Sequence, residues 1–236
     1  IDVSNITDMS YLFCNSRFNG DISQWDVSNV EYMSGMFYGT LFKGDISRWD
    51  TTNTTNMPWM FAESKFNQYI SNWNVSKVKN MSFMFYKSKF NQDISNWDVS
   101  GAIDMSSMFY KSRFNQDISN WNVSNTTDMR QMFYGIDFNQ NISRWDVSNV
   151  TNMENMFCLS KMEHDLSDWQ PRKLTATNNI FKKSKLEKEQ NLPYWATVDM
   201  EFLQQAIDAY QLQKQLSTNL KPNPIEGNAQ SMVAKI

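Results

Sequence analysis

Tryptophan recurs every 24 residues: Trp25, Trp49, Trp73, Trp97, Trp121, Trp145 and Trp169 keep that spacing without an insertion. A fixed period of this length marks a chain built from one repeated unit, and it constrains the fold more than composition does. Counting each unit from its Trp as position 1 puts Ile1 where the first Trp would stand, so position and residue numbers coincide in the first unit. Position 13 is then Phe from Phe13 to Phe181, and position 9 is Met from Met9 to Met153. Position 12 runs from Leu12 through Met36 and Met156 to Ile180, position 18 is Phe from Phe18 to Phe138, and position 22 is Ile from Ile22 to Ile142. These columns hold 13 of the 16 Met and 14 of the 16 Phe, so the odd composition is a repeated core and needs no other cause.

Equal units stack in one direction, and each buries its apolar side against its neighbours. At the ~4.8 Å spacing of paired strands the stack would be about 35 Å long. Within the first unit Ile6, Met9, Leu12 and Phe13 fall at i, i+3, i+6 and i+7, which predicts a helix of about two turns, with Ser4 and Asn5 as its caps. Trp25 and Val27 alternate with polar neighbours and predict a short strand. Asn91-Gln92-Asp93 reads as a turn. One short strand and one short helix per unit gives an α/β repeat solenoid, a leucine-rich-repeat-like horseshoe of 24-residue coils; the rival is an all-β coil.

The string Trp-Asp-Val-Ser-Asn-Val-Thr-Asn-Met at Trp145–Met153, then Met-Phe, then Phe-Asn-Gln-Asp-Ile-Ser as in Phe114–Ser119, resembles a known repeat. It is similar to the roughly 25-residue bacterial surface protein repeat of BspA-like surface proteins and mycoplasma lipoproteins, which some giant viruses also encode. The resemblance covers residues 1–169 and, more weakly, 170–186. It implies a leucine-rich-repeat-like solenoid, exposed on a surface and engaged in adhesion or protein binding. It carries no catalytic motif.

Three segments follow from this pattern: seven regular repeats over 1–168, a degraded eighth over 169–195, and a capping helix and tail over 196–236. In the eighth, Ile180-Phe181-Lys182-Lys183-Ser184-Lys185-Leu186 still aligns with Met84–Phe90. From about Val198 to Leu216 the period becomes helical, with Phe202, Leu203, Ala206, Ile207 and Tyr210 as one stripe and Thr197 or Asp199 as its N-cap. Lys221-Pro222-Asn223-Pro224 is expected to end that helix, with Ile225–Ile236 extended or disordered beyond it. At the other end the first coil is already regular, so its apolar side is expected to be covered by upstream repeats, a partner or a second copy.

The net charge of −3 argues against a nucleic-acid partner. No apolar run is long enough to span a membrane, which argues against direct insertion. With one histidine, His164, and two cysteines, Cys14 and Cys158, little material exists for a metal site or a nucleophilic triad. Both cysteines occupy position 14, too far apart to pair, and no role is assigned to them. Asp or Asn fills position 2 from Asp2 to Asp146, and position 21 is mostly Asp, from Asp21 to Asp165. Stacked carboxylates could hold a cation or supply an acid–base pair, but every coil offers the same pair, and turn chemistry explains the columns more simply. Ser at position 23, from Ser23 to Ser167, suits a buried and satisfied hydroxyl. No catalytic, metal or cofactor residue is therefore proposed.

Partner specificity must sit where the units differ, chiefly positions 10, 11, 14, 15, 17 and 24. Position 11 carries Trp59 and Phe83; position 14 carries Tyr38, Tyr86, Tyr110 and Tyr134; position 17 is mainly basic, with Lys89 and Arg113. Aromatic rings with a basic rim are typical interface material. The expected partner is a protein, either a host surface protein or neighbouring subunits, and the expected location is the cell surface or extracellular space, or else a virion. The plainer reading is that these positions are merely tolerant.

Overall fold

The computed structural model describes residues 1–219. Each 24-residue unit lies against the next, and single parallel bridges link position 8 of successive units: Asp8 to Tyr32, Tyr32 to Asn56, and so on to Asn152 and Ala176. Four backbone rungs flank each bridge. The N–H groups of positions 9, 11, 13 and 15 donate to the carbonyls of positions 8, 10, 12 and 14 in the following unit, as Met81, Phe83, Phe85 and Lys87 do to Asp104, Ser106, Met108 and Tyr110. The intervening amides of positions 12, 14 and 16 bond inside their own unit, three residues back. Over this segment each unit therefore turns donors toward its C-terminal neighbour and acceptors toward its N-terminal one.

The helix expected over positions 6–13 does not form. Positions 11 and 15 instead hold left-handed backbone, with φ between 48° and 65° at residues such as Trp59, Phe83, Lys87 and Gly39. A residue at φ > 0 ends any α-helix and suits the third position of a tight turn. Two such turns per unit release alternate amides to the next unit, where an α-helix would spend them internally. They still bring positions 9, 12 and 13 to one side, which is why the helical spacing is present without the helix. Ser4 and Asn5 accordingly cap nothing: the Ser4 N–H donates to Asp2, and the Asn29 side-chain amide donates to the Ser4 carbonyl. No strand forms at Trp25–Val27 either, because the coil-to-coil bonds lie around position 8.

The core is a set of parallel ring columns. Phe37, Phe61, Phe85, Phe109 and Phe133 stack at centroid distances of 5.6–5.9 Å, and Phe42, Phe66, Phe90, Phe114 and Phe138 at 6.2–6.4 Å. In the Trp column from Trp49 to Trp169 each indole donates to the carbonyl 27 residues back, as Trp97 does to Ile70 at 3.0 Å, which satisfies the one polar atom that its burial would strand. The hydroxyl column that is buried is position 16, from Thr40 to Ser184, and not position 23. Ser64 is buried and donates to the Phe61 carbonyl, whereas Ser71 and Ser95 are half-exposed beside their turns.

The eighth unit contains α1 (Lys185–Lys188), and two single 3-10 turns then lead to α2 (Leu203–Asn219). Trp195 extends the Trp column, two residues past the period, stacking on Trp169 at 6.1 Å and donating to the Leu166 carbonyl. α2 packs through Leu203 and Ile207, while Phe202, expected in its stripe, is exposed. Asp199 precedes the 3-10 turn that leads into α2 but makes no side-chain cap bond. Tyr210 stacks on Tyr194, and Arg172–Asp208 and Lys214–Asp168 pairs tie α2 to the last coils. The segments Lys221–Pro224 and Ile225–Ile236 lie outside the described residues.

Candidate functional site

The variable rings come together because of the turn that replaces the helix. The amide of position 14 donates to the carbonyl of position 11, as Ala62 does to Trp59 and Tyr86 to Phe83, so these two side chains leave the same turn. Tyr86, Tyr110 and Tyr134 stack in sequence, at 4.8 and 4.6 Å. Small, buried Ala62 would interrupt the column toward Tyr38. Trp59 bridges that gap from position 11: it stacks on Phe83 at 3.9 Å, lies 5.6 Å from Tyr86, and meets Tyr38 edge-on at 6.0 Å. All six rings are half-buried and form one continuous strip across five coils.

The cations over this strip come from position 15, not position 17. Lys87 Nζ sits 4.9 Å from the Tyr86 ring centre, and Lys111 Nζ lies 5.5 and 5.6 Å from those of Tyr110 and Tyr134. Lys87 also pairs with Glu63 at 3.2 Å, and the bond to Glu63, then the one to Tyr86, raises its pKa. Lys89 and Arg113 are exposed, and neither lies over a ring. The sequence held a signal for the lysines: position 15 is variable and directly follows the tyrosines. Burial raises the pKa of Tyr38 and Tyr134, so both phenols are neutral at physiological pH. Cys14 is half-buried and Cys158 buried, both as free thiols, and burial pushes the Cys158 thiol up.

The acidic columns are spent locally. Each position-2 residue accepts from the backbone N–H two residues on, as Asp98 does from Ser100 at 3.0 Å. Position 21 does the same, with Asp93 and Asp117 each accepting at 2.8 Å from Ser95 and Ser119. Among the described residues, no group of three or more His, Cys, Asp or Glu side chains is placed to hold a metal ion.

These turns make stability depend on pH. The backbone N–H and then the hydroxyl of the following serine hold Asp2, Asp21, Asp45 and Asp93 below their ordinary pKa. For Asp8, Asp26, Asp50 and Asp98 the hydroxyl two residues on comes first, then its N–H. A depressed folded pKa gives stability that is full above the unfolded value, near ~3.9, and lost as pH falls through the folded one. Asp128 opposes the trend, since burial raises its pKa. The melting temperature is expected to be level down to about pH 5 and to drop below about pH 4. A midpoint that rises on acidification below that point would contradict the assignment.

The family described as "Mycoplasma protein of unknown function, DUF285" matches the chain over residues 1–89, 40–137 and 112–219. No curated protein matches it, and neither does any solved structure.

Proposed function

The chain belongs to that Mycoplasma repeat family, DUF285, and we propose that it is a non-enzymatic solenoid module, akin to BspA-like surface repeats, that binds a protein partner through the strip from Tyr38 to Tyr134. The observation that carries this reading is the strip itself. Six rings drawn from two variable columns form one surface, with Lys87 and Lys111 laid over it. Rigid rings with an apolar body and a polar tip lose little entropy on binding, and they dominate the energetics of interfaces. The carboxylate columns support the non-enzymatic reading, because the same bonded arrangement recurs in coil after coil and none converges on a distinct site. The expected setting is the cell surface, with adhesion to a host protein as the role.

Alanine at Tyr86, Tyr110 and Tyr134 together tests the reading. Loss of hot-spot rings is expected to weaken binding of the purified chain to host cells or immobilised matrix proteins by more than about tenfold. The fold should survive, since each stacked ring pair contributes only about 0.5–1.5 kcal/mol beyond its burial. Unchanged binding by a folded triple variant would remove the strip from consideration, and binding by neither protein would remove adhesion.

A further inference from the structure

We propose that the partner meets the strip through an acidic peptide segment with apolar side chains, received by Lys65, Lys87, Lys89, Lys111 and Arg113 of the third to fifth coils. This rests on the strip being a binding surface and adds the chemistry of what it binds. The argument starts from positions 15 and 17. Position 16 between them is buried, as at Ser64, Ser88 and Ser112, and its two neighbours are exposed beside the strip. In the third, fourth and fifth coils those neighbours are Glu63 and Lys65, Lys87 and Lys89, Lys111 and Arg113. The coils on either side carry Gly39 and Leu41, then Gly135 and Asp137. Five cations thus face one carboxylate within three adjacent coils of a chain whose net charge is −3. That carboxylate, Glu63, is taken by Lys87. Among the described residues no carboxylate pairs with Lys65, Lys89, Lys111 or Arg113. Further along position 17 the charge is neutralised within the chain, Lys161 by Asp137 and Lys185 by Glu163. The uncompensated charge therefore lies beside the rings.

The packing of the rings narrows what the charge can receive. Tyr110 lies between Tyr86 at 4.8 Å and Tyr134 at 4.6 Å, so both of its faces are covered, and Trp59 and Phe83 cover each other at 3.9 Å. A nucleobase needs an open ring face to stack on, and Tyr110 leaves none. A stacked column meets solvent through ring edges, which carry the positive side of the quadrupole, and through phenol hydroxyls, which donate. Edges, hydroxyls and ammonium groups all favour an acceptor oxygen that bears negative charge. The Trp59–Phe83 end differs, because Phe83 has no polar atom and the indole has one. It calls for an apolar side chain. A peptide joins carboxylates and apolar side chains in one segment, whereas a sulfated glycan has no apolar side chain for that end.

The probe is a fluorescein-labelled peptide that alternates Leu-Phe with Glu-Asp, titrated with the full chain and read by fluorescence anisotropy. A peptide with Gln-Asn in place of Glu-Asp, and heparin, are the comparisons. The acidic peptide is expected to bind more than about tenfold tighter than its neutral counterpart, and to weaken by more than about tenfold as salt is raised to about 0.5 M. The double variant Lys89→Glu and Arg113→Glu should weaken it by more than about tenfold with the melting temperature unchanged, since both residues are exposed and neither is ion-paired. Glu63→Gln releases Lys87 and should tighten binding about two- to fivefold. Alanine at Tyr86, Tyr110 and Tyr134 should also lose the acidic peptide, which separates this site from a merely basic surface. Equal affinity for the two peptides, no binding at about millimolar peptide, or normal binding by the ring variant would each overturn the proposal. Heparin that binds tighter than the peptide, and is lost in the charge-reversed variant, would assign the face to a sulfated glycan and overturn it as well. If cell binding depends on the three tyrosines but is indifferent to charge reversal, this inference fails while the reading of the strip stands.

Discussion

Replacing Phe109 by alanine is expected to destabilise the chain by about 3–5 kcal/mol, the usual range for a fully buried phenylalanine. Phe109 has no exposed surface. Its ring lies between Phe85 at 5.7 Å and Phe133 at 5.9 Å, and against Phe114 at 4.1 Å. The neighbours cannot close the gap, because each is held by its own coil's rungs and by the next ring in the column. For a chain of this size each kcal/mol shifts the midpoint by about 2–4 °C, so a fall of roughly 10 °C is expected by calorimetry. Phe13→Ala makes the contrast: Phe13 is only half-buried and has a column neighbour on one side, Phe37. Its loss is expected to be less than half as large. Equal shifts for the two would show that the ring column does not act as a stack of nearest-neighbour contacts.

The period and the core columns were legible because burial repeats with the sequence. A Phe at position 13 or an Ile at position 22 has one environment in every interior coil. The path of the backbone between those columns was not legible, because an α-helix and a pair of tight turns both bury positions 9, 12 and 13. The discriminating residues were the small and polar ones. Gly35, Gly39 and Gly135 fall at positions 11 and 15, where φ is positive and a side chain is strained. Asn80 and Asp104, at position 8, bond the amide two residues on and so take it from a helix. Ser at position 23 misled because a uniform serine column looks buried. It is set by the Asp two residues before it, while the buried serines at position 16 close the second turn. The six rings of the strip were named from variability alone; that they touch depends on the turn between positions 11 and 14, which the helical reading hid. Trp195 lay outside the period, so its place in the Trp column came only from the fold.

Removing one whole coil, residues 97–120, is expected to leave a chain that folds, whereas removing half a coil, residues 97–108, is expected to abolish cooperative unfolding. In the first case Asn96 is followed by Trp121, and every column closes on its own kind. The amides of Met81, Phe83, Phe85 and Lys87 would meet the carbonyls of Asp128, Arg130, Met132 and Tyr134, which occupy the same positions as their present acceptors. Phe85 would stack on Phe133, and Tyr86 on Tyr134. The loss is one coil and one interface, and arrays held by nearest-neighbour contacts tolerate that. In the second case Asn96 is followed by Phe109, so a position-13 residue stands where a Trp belongs. Every rung below the junction would then face a unit displaced by half a turn of the coil, with buried Met and Phe set against the exposed Asp and Asn of positions 19–21 and 2. Burying those polar groups without their turn bonds costs more than the remaining contacts supply. Circular dichroism melts decide the matter. A single sharp transition in the whole-coil deletion and none in the half-coil deletion is the expected pair, because register, rather than the amount of apolar surface, is what one coil requires of the next.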